Sequence, residues 1–166
     1  CYQGHLSVCK WLFEVGAVAD ITKANNNGAT PMYIACQEGH LSVCKWLFEV
    51  GAAADTAKAS NNGTTPMFIA CRKGHLSVCK WLYEVGAAAD TTKATNNGIT
   101  PMFSICHEQV PNLSICQWLI LNGALNRPAD GHVDETTVRG DLNVRLHPTL
   151  LSWALDVIAT HDIFSN

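Results

Sequence analysis

The sequence predicts an all-α solenoid: helix–turn–helix–loop units, about four stacked repeats, then a diverged C-terminal helical cap. Three observations carry this expectation. The fourteen residues Gly4 to Ala17, GHLSVCKWLFEVGA, return unchanged at Gly39 to Ala52, and at Gly74 to Ala87 with Tyr83 in place of Phe48. The spacing is 35 residues each time, and a fixed period between 20 and 50 marks a stacked array. A Thr-Pro pair keeps the same period: Thr30-Pro31 and Thr65-Pro66 start a helix before the second and third blocks, and Thr100-Pro101 starts one in the diverged fourth unit.

The unit 60–94 shows why each element forms. Asn61-Asn62-Gly63 is a turn signal, with glycine able to take positive φ. Thr65 can cap free backbone N–H groups, and Pro66 is pre-set for a first helical position. The spacing predicts a short helix over Met67–Lys73, with Met67, Ala70 and Cys71 as its apolar stripe. Gly74 suits the left-handed position that ends a helix. A second helix is expected from Leu76 to Val85, burying Val78, Cys79, Leu82 and Tyr83, and Gly86 ends it. The small, polar stretch Ala87–Asn96 suits an extended loop or hairpin. Two such helices cannot bury their own apolar faces, so stability must come from stacking neighbours.

These residues resemble a known family. Thr-Pro-Met-(Tyr/Phe)-Ile-Ala-Cys followed by Gly-His-Leu-Ser-Val-Cys-Lys-Trp-Leu-(Phe/Tyr)-Glu-Val-Gly-Ala is similar to the ankyrin repeat, over roughly residues 1–126. The resemblance implies helix–turn–helix units with projecting loops, stacked into a curved solenoid. The chain departs from the common form in three ways. The unit has 35 residues against 33, with the two extra residues in the loop between Gly51 and Pro66. Tyr33, Phe68 and Phe103 replace the His after Thr-Pro-Leu, so an aromatic contact is expected instead of that His–Thr hydrogen bond. In the fourth unit Gln109-Val110-Pro111-Asn112 stands where Gly-His is expected, with two residues inserted at the turn.

The chain then divides into a partial repeat at 1–24, repeats at 25–59 and 60–94, and a diverged repeat at 95–126. A polar loop follows at 127–147, then a helical cap at 148–166 whose stripe is Leu150, Leu151, Ala154, Leu155 and Ile158. Cys1 aligns with Cys36, inside a first helix, and the cap stops early, so the array is expected to continue beyond this chain.

Composition narrows the partners. Net charge is −3, and Lys/Arg and Asp/Glu balance over residues 1–126, leaving the excess acid in 127–166. A basic stripe for phosphates is absent, which argues against nucleic acid. Lys and Glu interrupt every apolar run, so membrane insertion is not expected. The eight cysteines occupy two slots of the repeat among apolar neighbours (Cys1, Cys36, Cys71, Cys106; Cys9, Cys44, Cys79, Cys116) and read as core thiols. That usage fits a reducing, intracellular compartment, cytoplasmic or nuclear.

The sharpest chemical motif is Cys-x3-His-x3-Cys, at Cys1/His5/Cys9, Cys36/His40/Cys44 and Cys71/His75/Cys79. Zinc takes such ligands in fours, but each unit supplies three, and the two cysteines lie on different helices. The alternative is two core thiols and a His hydrogen-bonding between neighbouring turns. Catalysis by a Cys–His pair would need an electropositive, partly exposed thiol and an orienting third group, which these triplicated sites lack. No phosphate loop, paired-carboxylate signature or zinc-protease motif is present. Trp11, Trp46, Trp81 and Trp118 are read as packing along the second helices and partly between units.

Comparison of the copies locates a candidate contact surface. Identical positions serve the fold, whereas differing ones are free or tuned to a partner. In ankyrin-like solenoids the loop tips and first helices line the concave face, so the resemblance places partner contacts at Ala29, Tyr33, Gln37, Glu38, Ser60, Thr64, Phe68, Arg72, Lys73, Thr95, Ile99, Phe103, His107 and Glu108. Neutral drift at exposed sites is the competing explanation. The leading expectation is a non-enzymatic scaffold, without cofactor, that binds another protein. Readings from other classes are an accessory segment of a larger enzyme or channel, and a metal or redox protein built on the Cys-His-Cys triplets.

Overall fold

Thr-Pro starts each first helix where the spacing places it. In the computed structural model, which describes residues 2–106 and 112–122, Thr30 and Thr65 are extended N-cap residues. Their hydroxyls accept hydrogen bonds from the backbone N–H of Tyr33 and Phe68, both at 3.2 Å, and each cap contributes about 1 kcal/mol. The chain divides into two bodies, Cys1–Pro101 and Met102–Asn166. The first contains α1 (Leu6–Glu14), α2 (Pro31–Gln37), α3 (Leu41–Leu47), α4 (Pro66–Arg72) and α5 (Leu76–Leu82). Helix α6 (Pro101–Cys106) opens at the boundary, and α7 (Leu113–Leu121) lies in the second body. The described residues contain helices and turns and no strand. The expected polar loop at 127–147 and cap at 148–166 lie outside the described residues.

Within the first body the helices stack as pairs. Helix α2 packs on α3 and α4, α4 on α5, and α3 on both α1 and α5. The core is a file of Met32, Ala35, Cys36, Val43, Cys44 and Leu47, repeated one unit later by Met67, Ala70, Cys71, Val78, Cys79 and Leu82. Helix α4 is buried at every position from Pro66 to Cys71, more than the one-stripe pattern predicts, because it contacts α2, α5 and the turn at 88–91 together.

Identical sequence does not bring identical burial. Val8, Trp11 and Leu12 of the first block are 50%, 57% and 44% exposed, while Val43, Trp46 and Leu47 of the second are 0%, 8% and 1%. The preceding unit makes the difference, as expected where stability is a sum of neighbour interfaces.

Two elements differ from the sequence expectation. The second helix of a unit stops its regular turns at Leu82 rather than Val85, and Tyr83–Ala87 widens into a π-type turn around Gly86, at φ 109. A left-handed residue breaks the i→i−4 ladder, and the carbonyls before it find longer-range partners. The supposedly extended loop begins with a 3₁₀ turn at Ala88–Thr91, matched by Ala53–Thr56. The Thr91 and Thr56 hydroxyls donate to the carbonyls of Ala88 and Ala53 at 2.8 Å, and Lys93 and Lys58 pair with Asp90 and Asp55 at 3.6 Å, which winds the segment locally.

Three contacts lock one unit to the next. His40 Nε2–H donates to the Tyr2 carbonyl at 2.9 Å, and His75 to the Gln37 carbonyl at 3.0 Å. The Asn61 backbone N–H donates to the Asn27 carbonyl and its side-chain amide to the Asn26 carbonyl, both at 3.0 Å; Asn96 repeats this on Asn62 and Asn61. Gly63 must be glycine, because a Cβ there would collide with the Asn96 side chain and come within 2.7 Å of its backbone nitrogen. Lastly, Phe13 meets Trp46 edge-on at 5.8 Å, and Phe48 meets Trp81 at 5.9 Å, each adding about 0.5–1.5 kcal/mol beyond burial. Trp46 and Trp81 thus pack against the preceding unit, whereas Trp11 in the same slot is 57% exposed.

Candidate functional site

The turns at Asn26–Gly28 and Asn61–Gly63 hold successive loop tips side by side, beside the first helices α2 and α4. Between the tips of the second and third units lies a groove of about 340 Å³, lined by Asn25, Asn27, Tyr33, Gln37, Ser60 and Asn62 among others. A second groove, of about 270 Å³, occupies the junction one unit earlier, beside Tyr2, Lys23, Asn25 and Ile34. Two grooves thus lie at successive unit junctions, on the side of loop tips and first helices.

Each groove wall follows from local sequence. Asn25 forms an Asx turn, its Oδ1 accepting from the N–H of Asn27 (2.9 Å) and Ala29 (3.0 Å). Ser60 donates its hydroxyl to Asn62 Oδ1 at 2.7 Å. Tyr33 packs with Ala29 and Ile69, and its hydroxyl meets the side chains of Ser60 and Thr64 in the following unit. Burial pushes the Tyr33 phenol above its ordinary pKa, against the smaller opposing effects of those hydroxyls and of Arg72. Amides and hydroxyls on an apolar floor can donate to and accept from a peptide backbone; the groove offers no charged acid–base pair.

The sequence-derived contact residues separate by location. Ala29, Tyr33, Gln37 and Ser60 line one groove together. Glu38 is beside it, half-buried, and accepts from Gln37 Nε2 at 2.7 Å. Arg72 and Lys73 are exposed at the end of α4, and Thr95, Ile99 and Phe103 are half-buried. Tyr33, Thr64 and Phe68 are almost fully enclosed, and Thr64 faces Tyr33 across the unit junction. Variation at 33 and 64 is thus partly internal: a Tyr hydroxyl in one unit meets Thr in the next. His107 and Glu108 lie outside the described residues, as does the inserted turn at 109–111.

Some groove residues escaped sequence reasoning. Asn27 and Asn62 are the same in every copy, so a comparison of copies assigned them to the scaffold. Ile34 does carry a signal, since its counterparts are Ile69 and Ser104. Asp55 and Asp90 were also overlooked. Both are buried, with one oxygen on a lysine and Oδ2 lacking a hydrogen-bond partner, and desolvation raises both pKa values against the pull of Lys58 and Lys93. Their counterpart Asp20, in the first unit, is 64% exposed.

The triplets Cys36/His40/Cys44 and Cys71/His75/Cys79 do not converge on a common point, and Cys1 of the other triplet lies outside the described residues. His40 and His75 turn to a carbonyl of the preceding unit, while Cys36 meets Cys44 at 3.6 Å and Cys71 meets Cys79 at 3.4 Å. Among the described residues no three His, Cys, Asp or Glu side chains gather as a metal site would require. Nor is any helix among them long and apolar enough to cross a membrane.

A comparison with curated proteins gives no match. A family model of ankyrin repeats, in three copies, matches residues 1–94, the span of identical blocks, capped first helices and stacked loop tips, and stops where the diverged unit begins. The chain belongs to the ankyrin repeat family.

Proposed function

We propose that this chain is a non-enzymatic scaffold that binds a partner protein through the concave face and loop tips of its solenoid. Ankyrin repeats are in general protein-interaction modules, and the family is typically non-enzymatic. The single observation that carries the finer reading is the groove at the second unit junction, where four residues that differ among the copies, Ala29, Tyr33, Gln37 and Ser60, share one wall. Its lining of side-chain amides around an aromatic and aliphatic floor suits an extended peptide segment: the amides hydrogen-bond its backbone, and the floor takes an apolar side chain. Arg72 and Lys73 one unit on, against Gln37 and Glu38 here, vary the charge along the same edge and would set partner choice and association rate.

Site-specific photocrosslinking tests this reading. A photoreactive residue at Gln37 or Arg72 is expected to capture a defined partner, and the same residue at Lys45 or Lys80, exposed on the second helices, is not. Capture only from the second helices would place recognition on the opposite side and overturn the proposal.

A further inference from the structure

The stack encloses two thiol pairs that the proposed surface does not use. Cys36 Sγ lies 3.6 Å from Cys44 Sγ, and Cys71 Sγ lies 3.4 Å from Cys79 Sγ. Each pair joins the first helix of a unit to its second, α2 to α3 and α4 to α5. All four side chains are 0% exposed. Thiols are weak donors and weak acceptors, so contact between them adds little that a methyl group would not. The same pairing nevertheless occurs in both enclosed units.

We propose that each pair is a latent disulfide, closed by exchange with a low-molecular-weight disulfide of the glutathione type when its unit opens locally. The sulfurs already touch, and the bond requires them to approach to about 2.05 Å. Closure therefore needs the sulfurs to approach by roughly 1.5 Å, through side-chain adjustment and movement between two helices already in contact. The closed unit is inert: hydrogen bonding with Cys44 and burial hold the Cys36 thiol well above its ordinary pKa, and the thiolate is the nucleophile. A glutathione-sized molecule also cannot reach a fully enclosed sulfur. Repeat arrays open in local units, which supplies the missing access.

The chemistry balances without another reactant. In the opened unit one cysteine loses its proton to solvent and attacks the small disulfide. That S–S bond breaks, one small thiol leaves, and a mixed disulfide remains on the protein. The second cysteine, eight residues away in sequence and now deprotonated, attacks the protein sulfur of the mixed disulfide, and the second small thiol departs. Two protein thiols are oxidised to one disulfide, and one small disulfide is reduced to two thiols. The cross-link then ties the two helices of the unit together and opposes further opening. Each enclosed unit thus becomes a device that an oxidising shift locks closed.

The test incubates the full chain with oxidised and reduced glutathione over a range of ratios, with and without mild urea. Free thiols are then alkylated, and the protein is mapped by mass spectrometry. The expected result is loss of two hydrogens per closed pair, links mapped to Cys36–Cys44 and Cys71–Cys79, faster closure in urea, and reversal by dithiothreitol. The oxidised chain should melt several degrees higher. The variant Cys44→Ala, with its helicity checked by circular dichroism, should lose the first link and keep the second. Three results would overturn the proposal: full alkylation at every ratio even after opening in urea, single glutathione adducts that never resolve, or links running between units from Cys36 to Cys79. The last is a real competitor, because Cys79 is close enough to influence the ionisation of Cys36.

Discussion

The imidazole of His75 hydrogen-bonds the backbone carbonyl of Gln37, thirty-eight positions earlier, at 3.0 Å. The same ring rests on Gly39, where a Cβ would come within 2.5 Å of Nδ1. Gly-His therefore works across units: the glycine of one makes room for the histidine of the next. His75→Ala should cost about 1–3 kcal/mol, since it removes the bond and leaves the Gln37 carbonyl unpaired. His5→Ala should cost under about 0.5 kcal/mol, because His5 lies in the exposed first unit. Urea unfolding of the two variants measures the contrast.

Two glycines with positive φ should respond unequally. Gly63→Ala meets both backbone strain and the Asn96 side chain, and is expected to destabilise by about 2–5 kcal/mol. At Gly86 an added Cβ would find nothing within 4 Å, so Gly86→Ala should show only left-handed strain, about 1–2 kcal/mol. Equal losses in thermal unfolding would contradict the loop-tip lock.

Trp46 and Trp11 occupy the same slot of identical blocks at 8% and 57% exposure. Trp46→Ala removes a buried ring and its edge contact with Phe13, and should cost about 3–5 kcal/mol. Trp11→Ala should stay within about 1 kcal/mol. Calorimetry of both variants distinguishes neighbour-dependent packing from an intrinsic property of the block.

Asp55 and Asp90 give the fold a pH dependence of definite sign. Desolvation raises their pKa values in the folded chain above the usual 3.8, so the folded state holds protons that the unfolded state has released. Their contribution is most favourable below the unfolded value, and it is lost as pH rises through the raised folded values. The double variant Asp55→Asn/Asp90→Asn should lack this component. Subtracting its urea midpoints from those of the parent across the acid range should give a difference that falls with rising pH and then levels. A difference that rises with pH would show the lysine pairs outweighing desolvation.

The period, the Thr-Pro caps and the helix-stopping glycines were legible because each is a local rule satisfied by residues close in sequence. The Tyr33 contact with Ser60 and Thr64 was not, since it joins variable positions in different units and becomes visible only after stacking. Copy comparison read those positions as surface, yet Thr64 is 5% exposed. The reverse error concealed Asn27 and Asn62, invariant residues that line the groove. Asp55 looked like an ordinary loop acid because its burial comes from packing of the 3₁₀ turn against α2, whose register no single unit encodes. For Tyr33, Thr64 and Asp55 the environment is set by three-dimensional packing that the residues beside them in sequence do not specify.

In the proposed function, recognition depends on the positions where the copies disagree, along the first-helix edge. The direct measurement is the dissociation constant, by calorimetry, for the partner captured through Gln37 or Arg72. It compares the parent, Arg72→Glu/Lys73→Glu, and Lys45→Glu/Lys80→Glu. Loss of affinity by tenfold or more in the first variant, with the second unchanged, is the predicted result. Unchanged affinity in the first variant with loss in the second would place recognition on the second helices instead.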